Sequence, residues 1–482
     1  MSIVVIDVGT SGVRAAVVGP DARVSTVHYR EVLPSSPAPN FVEFDAREMA
    51  RAVLDLAAQA IDDHGASEIR GVGIANQRSS TILWDRATGE PVGPGIGWQD
   101  LRTVGTCLML KSMGIAAAPN ESATKLMMLL DLADPKREQD LCFGTVDTWV
   151  AWTLSGGEVH VTDASNAAVT GLLRADGEGW DSAKVEALRI PESILPQVVP
   201  STGVVGDATA LPGAPPIAGI AGDQQASLIG QGCIHPGDAK ATFGTGGMLD
   251  LCTGERPAFM RKGEHGSFPI IAWRRDDELT WGVEAVMLSA GTCVEWLRDD
   301  LGLISTSAES GSLAASVPDS GGVWFVPALF GLGTPVWDFG ARGTLLGLTR
   351  GSGRAEVVRA VLEGIAHRGA DLLEAAEADS GCTVAELRVD GGMSRNNVFV
   401  QALANAVERP VAVSAVSEAT TLGAAFLAGV AIGIWPDLGA ATASAEPPAV
   451  VEPVRKTDRA RWLDARERAR GQLPDLSTIE FE

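Results

Sequence analysis

Basic residues are scarce in this chain. Its 482 residues hold 38 Lys and Arg against 61 Asp and Glu, a formal charge of −23 at pH 7. A surface that negative repels nucleic acid and anionic lipid, so neither is expected as a partner. An anionic ligand would need donors or a divalent cation placed locally to overcome that field. Cysteine is sparse too: the six residues at 107, 142, 233, 252, 293 and 382 form no C-x-x-C pair. That argues against a zinc site or a disulfide framework and fits a reducing cytosol. The six histidines do not cluster, so a histidine-based metal site is not expected. The longest apolar run, Leu422 to Trp435, has 14 residues and three glycines. It is too short to span a bilayer and reads as a buried helix. The start, MSIVVIDVG, has no basic region before its apolar stretch, so no signal peptide and a cytoplasmic location are expected.

What is present is α/β texture with many glycines, 55 in all, and 45% hydrophobic residues. The length suggests two domains. IVVIDV reads as a buried strand, GTSG as a tight turn, VRAAVV as the returning strand and RVSTVHYRE as a third. Residues 45 to 64 carry apolar positions at helical spacing, and EIRGVGIAN reads as another buried strand. DAKATFGTGGMLDLC, from residue 238, repeats the strand, Gly-Thr turn, strand opening. The turns Gly9-Thr10-Ser11-Gly12 and Gly244-Thr245-Gly246-Gly247 lie about 235 residues apart and suggest two related halves meeting near residue 238. A long helix is expected over RAEVVRAVLEGIAHRGADLLEAAEADSG, with Gly381 able to cap it. A charged helix is expected from Arg455 to Arg470, tacked down by Trp462 and Leu463.

No Walker A motif is present, because GCIHPGDAK lacks the Gly-Lys that must follow its glycine pair, and no G-x-G-x-x-G opens a helix. The two Gly-Thr hairpins offer another way to hold a phosphate. In IDVGTSGVR an acid (Asp7), two hydroxyls (Thr10 and Ser11), bare glycine backbone and Arg14 fall within eight residues, a set that suits a Mg²⁺–phosphate complex. An ordinary hairpin with a strand-end Asp is the simpler reading. In GIAGDQQASLIGQG an apolar strand stops at Gly222 and Asp223 stands where a helix begins. Helix capping is the common use of such an Asp. An ionised Asp in a cleft can also accept the proton of an attacking hydroxyl.

These segments, with GVGIANQRSSTILWDRATGEPVGPGIGWQDLRT, SATKL, VTDASNA, FVPALFGLGTPVWDFGARGTLLGLTRG, LRVDGGMSRNN and TTLGAAFLAG, occur in one order from residue 3 to about 435. In that order the chain resembles the FGGY carbohydrate kinases, and its blocks are most similar to the glycerol-phosphorylating members. The resemblance implies two ribonuclease-H-like, actin/hexokinase-type α/β domains, 1–238 and 239–482, closing on ATP and a small polyol or sugar. It implies that Asp223 is the catalytic base and that Asp7 and Asp223 lie around Mg²⁺. Thr10, Ser11 and Arg14 match the first phosphate turn, and Gly244 and Thr245 the second. Gly291, Gly392 and Asn396 match positions lining the nucleotide, while Glu295 stands where the family often has Gln. A homodimer or homotetramer is compatible with the resemblance.

The acceptor pocket departs from the pattern. Arg78, Trp98, Asp223 and Gln224 are retained, but Ser79 stands in place of a Glu, and Asn120 and Leu288 in place of aromatic residues. Losing a carboxylate and two rings enlarges the pocket and leaves it polar, so an acceptor larger than glycerol is expected, such as a tetritol, pentitol, ketose or cyclitol. Glycerol itself, giving glycerol 3-phosphate, is the alternative. An actin- or chaperone-like ATPase and a non-catalytic sugar-binding relative are alternatives of another kind, opposed by the substrate-wall match over residues 70 to 130 and by the retained Asp7 and Asp223.

Overall fold

The computed structural model describes residues 1–416 and 418–479. Continuous apolar runs near the start form β1 (Ser2–Val8) and β2 (Gly12–Val18), and an alternating run forms β3 (Val24–Glu31). Helix α1 (Ala46–His64) begins where the Asp45 side chain accepts from the Arg47 and Glu48 amides, satisfying two otherwise orphaned donors. Its Met49, Val53, Leu56 and Ile61 face the sheet. Strands β4 (Ile69–Asn76), β5 (Thr202–Asp207) and β6 (Pro216–Gly222) complete the first half, and α2 (Asp223–Gly230) follows at once.

The second half opens with β7 (Ala239–Phe243), β8 (Gly247–Gly254), β9 (Phe268–Arg275) and β10 (Glu278–Met287), then α3 (Gly291–Asp299). It continues through the 27-residue α4 (Arg354–Ser380), which ends at Gly381 in the left-handed conformation. Next come β11 (Leu387–Asp390), α5 (Asn397–Val407), β12 (Val411–Val413), α6 (Ala419–Ala431), β13 (Ala449–Val451) and α7 (Arg459–Arg468). The expected run at Leu422 is α6, buried along nearly its whole length. In α7 only part of the expectation holds: Trp462 is wholly buried and its Nε1 donates to Asp371 at 3.0 Å, but Leu463 faces outward. One aromatic side chain at the centre of a charged helix suffices, because Arg459 and Arg466 also reach Asp371.

All thirteen of these strands join one sheet in the order β13-β12-β11-β7-β8-β10-β9-β5-β6-β4-β1-β2-β3. The same five-strand pattern occurs twice within it. In the first half β3-β2-β1 pair antiparallel, and β1-β4-β6 pair parallel. In the second half β10-β8-β7 pair antiparallel, and β7-β11-β12 parallel. The halves meet within the sheet through a single paired position, Thr202 with Arg275. A more substantial join is made by α2 and α6, which occupy equivalent places after the last parallel strand of each half and cross at close range. A Cβ on Gly230 would lie 1.8 Å from the Ala419 carbonyl oxygen, and one on Gly423 1.8 Å from that of Ala226. An apolar cluster containing Leu228, Ile229, Leu422, Phe426 and Trp435 surrounds this crossing, separate from the core of each half. Among the described residues no helix is long and apolar enough to cross a membrane.

Gly230→Ala should therefore destabilise the protein by about 1–3 kcal/mol, because two backbones must part to admit the methyl group. Gly105→Ala, where a Cβ meets nothing within 4 Å on an exposed helix, should leave stability unchanged or raise it by up to about 1 kcal/mol. Urea unfolding of both variants checks the contrast, and equal effects would contradict the tight crossing.

Candidate active site

Parallel strands expose their carboxyl ends along one edge, and ligands of open α/β sheets bind at such edges. Here the edge of the first half carries Asp7 near the end of β1, Gln77 and Arg78 after β4, and Asp223 after β6. Gly222, not Asp223, occupies the cap position of α2, and the Asp223 Oδ1 accepts only from the next amide, Gln224, at 2.8 Å. Its carboxylate is thus left for another partner. Arg78 supplies one: its Nε lies 3.6 Å from Asp223, while its Nη2 donates at 2.6 Å to Glu284 on β10 of the second half. The Nη1 of Arg78 is buried without a partner.

Three strands of the second half set a charged row beneath this pair. Lys240 on β7 stands opposite Asp250 on β8, and Asp250 opposite Glu284 on β10. The Lys240 and Asp250 side chains are wholly buried and 2.8 Å apart. In the next row Met248 pairs with Thr242, and its sulfur approaches the Arg78 guanidinium.

Burial pushes the Asp223 carboxyl above the ordinary carboxylate range, against the pull of Arg78. Burial also raises Glu284, again opposed by Arg78. Burial alone would lower the Arg78 guanidinium, but Glu284, Asp223 and Asp250 outweigh it and hold the cation charged. Asp7 is pushed up to about 7, chiefly by burial and further by Asp223 and Glu418, with Arg14 opposing.

The first Gly-Thr turn is fastened to this edge. Gln77 donates through Nε2 to the Gly9 carbonyl at 3.2 Å, and Trp98 through Nε1 to Thr10 Oγ1 at 3.3 Å. Ser11 is exposed at the tip, and Arg14 lies 3.9 Å from Asp7 and 3.7 Å from Glu418 at the head of α6. Behind Arg78, Asn76 and Asn166 exchange two amide hydrogen bonds, and the Asp163 carboxylate holds Asn166 and Ser165. Ser165 Oγ accepts from the Gly222 amide at 3.0 Å, beside Asp223. The segment VTDASNA is thus a scaffold for both Arg78 and Asp223. The buried Lys125 of SATKL, its ammonium lowered to about 8 by burial, donates to the Trp98 and Asn120 carbonyls.

Arg78, Ser79, Trp98, Asn120, Asp223, Gln224 and Leu288 all line one cavity of about 940 Å³ between the halves. Ser79 lines it without offering its hydroxyl, which donates to the Val169 carbonyl at 2.9 Å. Thr10 of the first Gly-Thr turn lines it as well, and the remaining predicted residues lie apart from it. Gly244 and Thr245 form the turn between β7 and β8, and their carbonyls accept from the Gly291 and Ala290 amides. A Cβ on Gly291 would lie 2.6 Å from the Gly244 oxygen, so glycine is required there. Gly392 follows β11, and Asn396 caps α5 and reaches Ser310. Glu295 is exposed on α3. Sequence reasoning missed Glu284, Met248, Lys240 and Asp250. Their one signal is polar or thioether side chains within strands that otherwise read as apolar.

Two like halves with a carboxylate-bearing cavity between them define a two-domain α/β protein. Residues 2–230 match the N-terminal domain model of the FGGY family of carbohydrate kinases, and residues 239–432 the C-terminal domain model. The chain belongs to the FGGY family and is an ATP-dependent carbohydrate kinase. The readings as an actin- or chaperone-like ATPase or a non-catalytic relative give way to that activity. The chain is 45% identical to a glycerol kinase of Trichlorobacter lovleyi over 90% of its own length and 91% of the relative's. It is 43% identical to one of Halorhodospira halophila, over 95% and 93%. Among solved structures, Plasmodium falciparum glycerol kinase with ADP superposes with a TM-score of 0.89 at 27% identity, covering 99% of this chain and 98% of that one. A Brucella ovis xyloylose kinase superposes with a TM-score of 0.86 at 25% identity, covering 100% of both.

A raised Asp7 means that the folded state binds a proton more tightly than the unfolded chain. Its stabilising contribution is complete below the unfolded value of 3.8 and is lost as pH rises through about 7. Asp7→Asn should therefore melt higher than the parent at about pH 8, by at least about 2 °C, and not at about pH 4. A lower Tm at the alkaline pH would contradict the burial argument.

Proposed function

We propose that the protein transfers the γ-phosphoryl group of ATP directly to a primary hydroxyl of a small polyol, with Asp223 accepting the hydroxyl proton. The observation that carries this reading is the half-buried Asp223 carboxylate on the cavity wall beside Arg78, free of any capping duty. A base needs reach to its proton and a raised affinity for it, and burial supplies the second. Arg78, Trp98 and Gln224 hold the acceptor's oxygens and carbon face. The two Gly-Thr turns present backbone donors to phosphate oxygens, and Thr10, Ser11 and Arg14 add side-chain donors to the first turn. Gly291, Gly392 and Asn396 border the nucleotide on the second half; Glu295, being exposed, contributes at most at its rim. Asp7 and Asp223 are hard oxygen ligands, a donor type that fits Mg²⁺. That ion, when bound, supplies charge neutralisation at the phosphates.

Glycerol is the acceptor that the names of the relatives support. A longer polyol or ketose has one observation in its favour: with Ser79 turned onto Val169, nothing at that position closes the cavity on a three-carbon chain. ADP release across glycerol, tetritols, pentitols, hexitols, cyclitols and ketopentoses separates the two. The highest kcat/KM on glycerol establishes the first reading, and a longer acceptor ahead by about tenfold the second. Asp223→Asn should abolish turnover on the best acceptor, by about a thousandfold or more, while nucleotide affinity stays within about threefold. Retained turnover would remove Asp223 from the role of base.

A further inference from the structure

Gln224 lines the cavity next to Asp223, yet an amide side chain can present either a donor or an acceptor. Its neighbour decides which. The Lys240 ammonium has three N–H donors and no acceptor. Two of them go to the Thr242 hydroxyl at 3.0 Å and the Gln224 Oε1, and the Asp250 carboxylate lies 2.8 Å away as the ion-pair partner. An amide NH₂ cannot face an ammonium, so the carbonyl oxygen of Gln224 is fixed toward Lys240 and its NH₂ is left for the cavity. The cation in turn is held by Asp250, directly opposite it on the neighbouring strand, both side chains wholly buried. A buried ammonium is tolerated only where it is paired and hydrogen-bonded, and this one is both.

We infer that Lys240, held by Asp250, is a positioning residue that turns Gln224 into an obligate hydrogen-bond donor, so that the acceptor must place an oxygen acceptor, not a donor, at this point. This rests on the reading of the cavity as the acceptor site. Three side chains then divide the work. Asp223 takes a proton, and Arg78 and Gln224 only donate. An acceptor oxygen facing Gln224 must therefore receive a hydrogen bond, while the hydroxyl facing Asp223 gives up its proton.

The test uses the full-length protein with its best acceptor. Gln224→Glu keeps the bond to Lys240 but replaces the donor with an acceptor, leaving the buried Lys240–Asp250 pair intact. It should raise the acceptor KM as much as Gln224→Leu does, about tenfold, with the ATP KM within about twofold. Lys240→Met combined with Asp250→Leu removes the pair without orphaning either charge. It should raise the acceptor KM similarly, and adding Gln224→Leu should cause no further change. Gln224→Glu retaining the parental KM would overturn the inference. So would multiplicative effects of the Lys240 and Gln224 changes, or an ATP KM that moves with the acceptor KM. Absence of turnover by the parent on every polyol would instead sink the acceptor-site reading itself, which these variants do not probe.

Discussion

The guanidinium of Arg78 bridges the two halves of the molecule at the floor of the cleft. It leaves the first half after β4, faces Asp223 of its own half at 3.6 Å and bonds Glu284 of the other at 2.6 Å. With Lys240 and Asp250 it belongs to a buried group of two cations and three carboxylates. Such a group is costly to desolvate and costs about 3–5 kcal/mol when one partner alone is removed. That energy makes the cleft floor a cooperative unit. Removing any one of these charges leaves its neighbours facing an unpaired partner in the same poorly solvated place. The helix crossing of α2 and α6 is of the opposite kind, apolar and close-packed, and it fixes where Asp223 emerges. Packing sets the position of the base, and the charged row sets its chemistry.

The halves are therefore tied in two ways that differ in consequence. The crossing at Gly230 and Gly423 permits no side chain between backbones, so it acts as a fixed pivot. The sheet contributes almost nothing there, with one paired position at Thr202. Polar contacts on the cleft side can exchange partners when a ligand enters, because Arg78 keeps an unused Nη1 donor. A ligand oxygen that takes that donor compensates a buried polar atom otherwise left unsatisfied, which favours occupancy of the acceptor side.

Much of this was legible in the sequence, for identifiable reasons. The opening strands, the Gly-Thr turns and α4 announce themselves through period, turn residues and a terminal glycine, all local properties. The ordered blocks carried Arg78, Trp98, Asp223 and Gln224 to one cavity although they lie up to 146 residues apart. What stayed hidden depends on register. Lys240, Asp250 and Glu284 read individually as polar interruptions in apolar strands. Only the pairing of β7, β8 and β10 sets them in one row. Ser79 shows the converse. Its identity suggested an opened, polar pocket, but its left-handed backbone (φ 61°) and the Val169 carbonyl turn the hydroxyl away. Asn120 meets the cavity from an exposed segment and contributes its carbonyl to Lys125. The loss of a carboxylate at position 79 also reads differently once Glu284 is seen holding Arg78 from the facing half.

The central claim is that Glu284 sets Arg78 for the acceptor from across the cleft. Steady-state kinetics of Glu284→Gln at saturating ATP test it most directly, since the substitution keeps shape and removes charge. The account predicts an acceptor KM raised by about tenfold or more, an ATP KM within about twofold, and a fold intact by circular dichroism. An unchanged acceptor KM in a folded variant, or a loss confined to ATP, would contradict it.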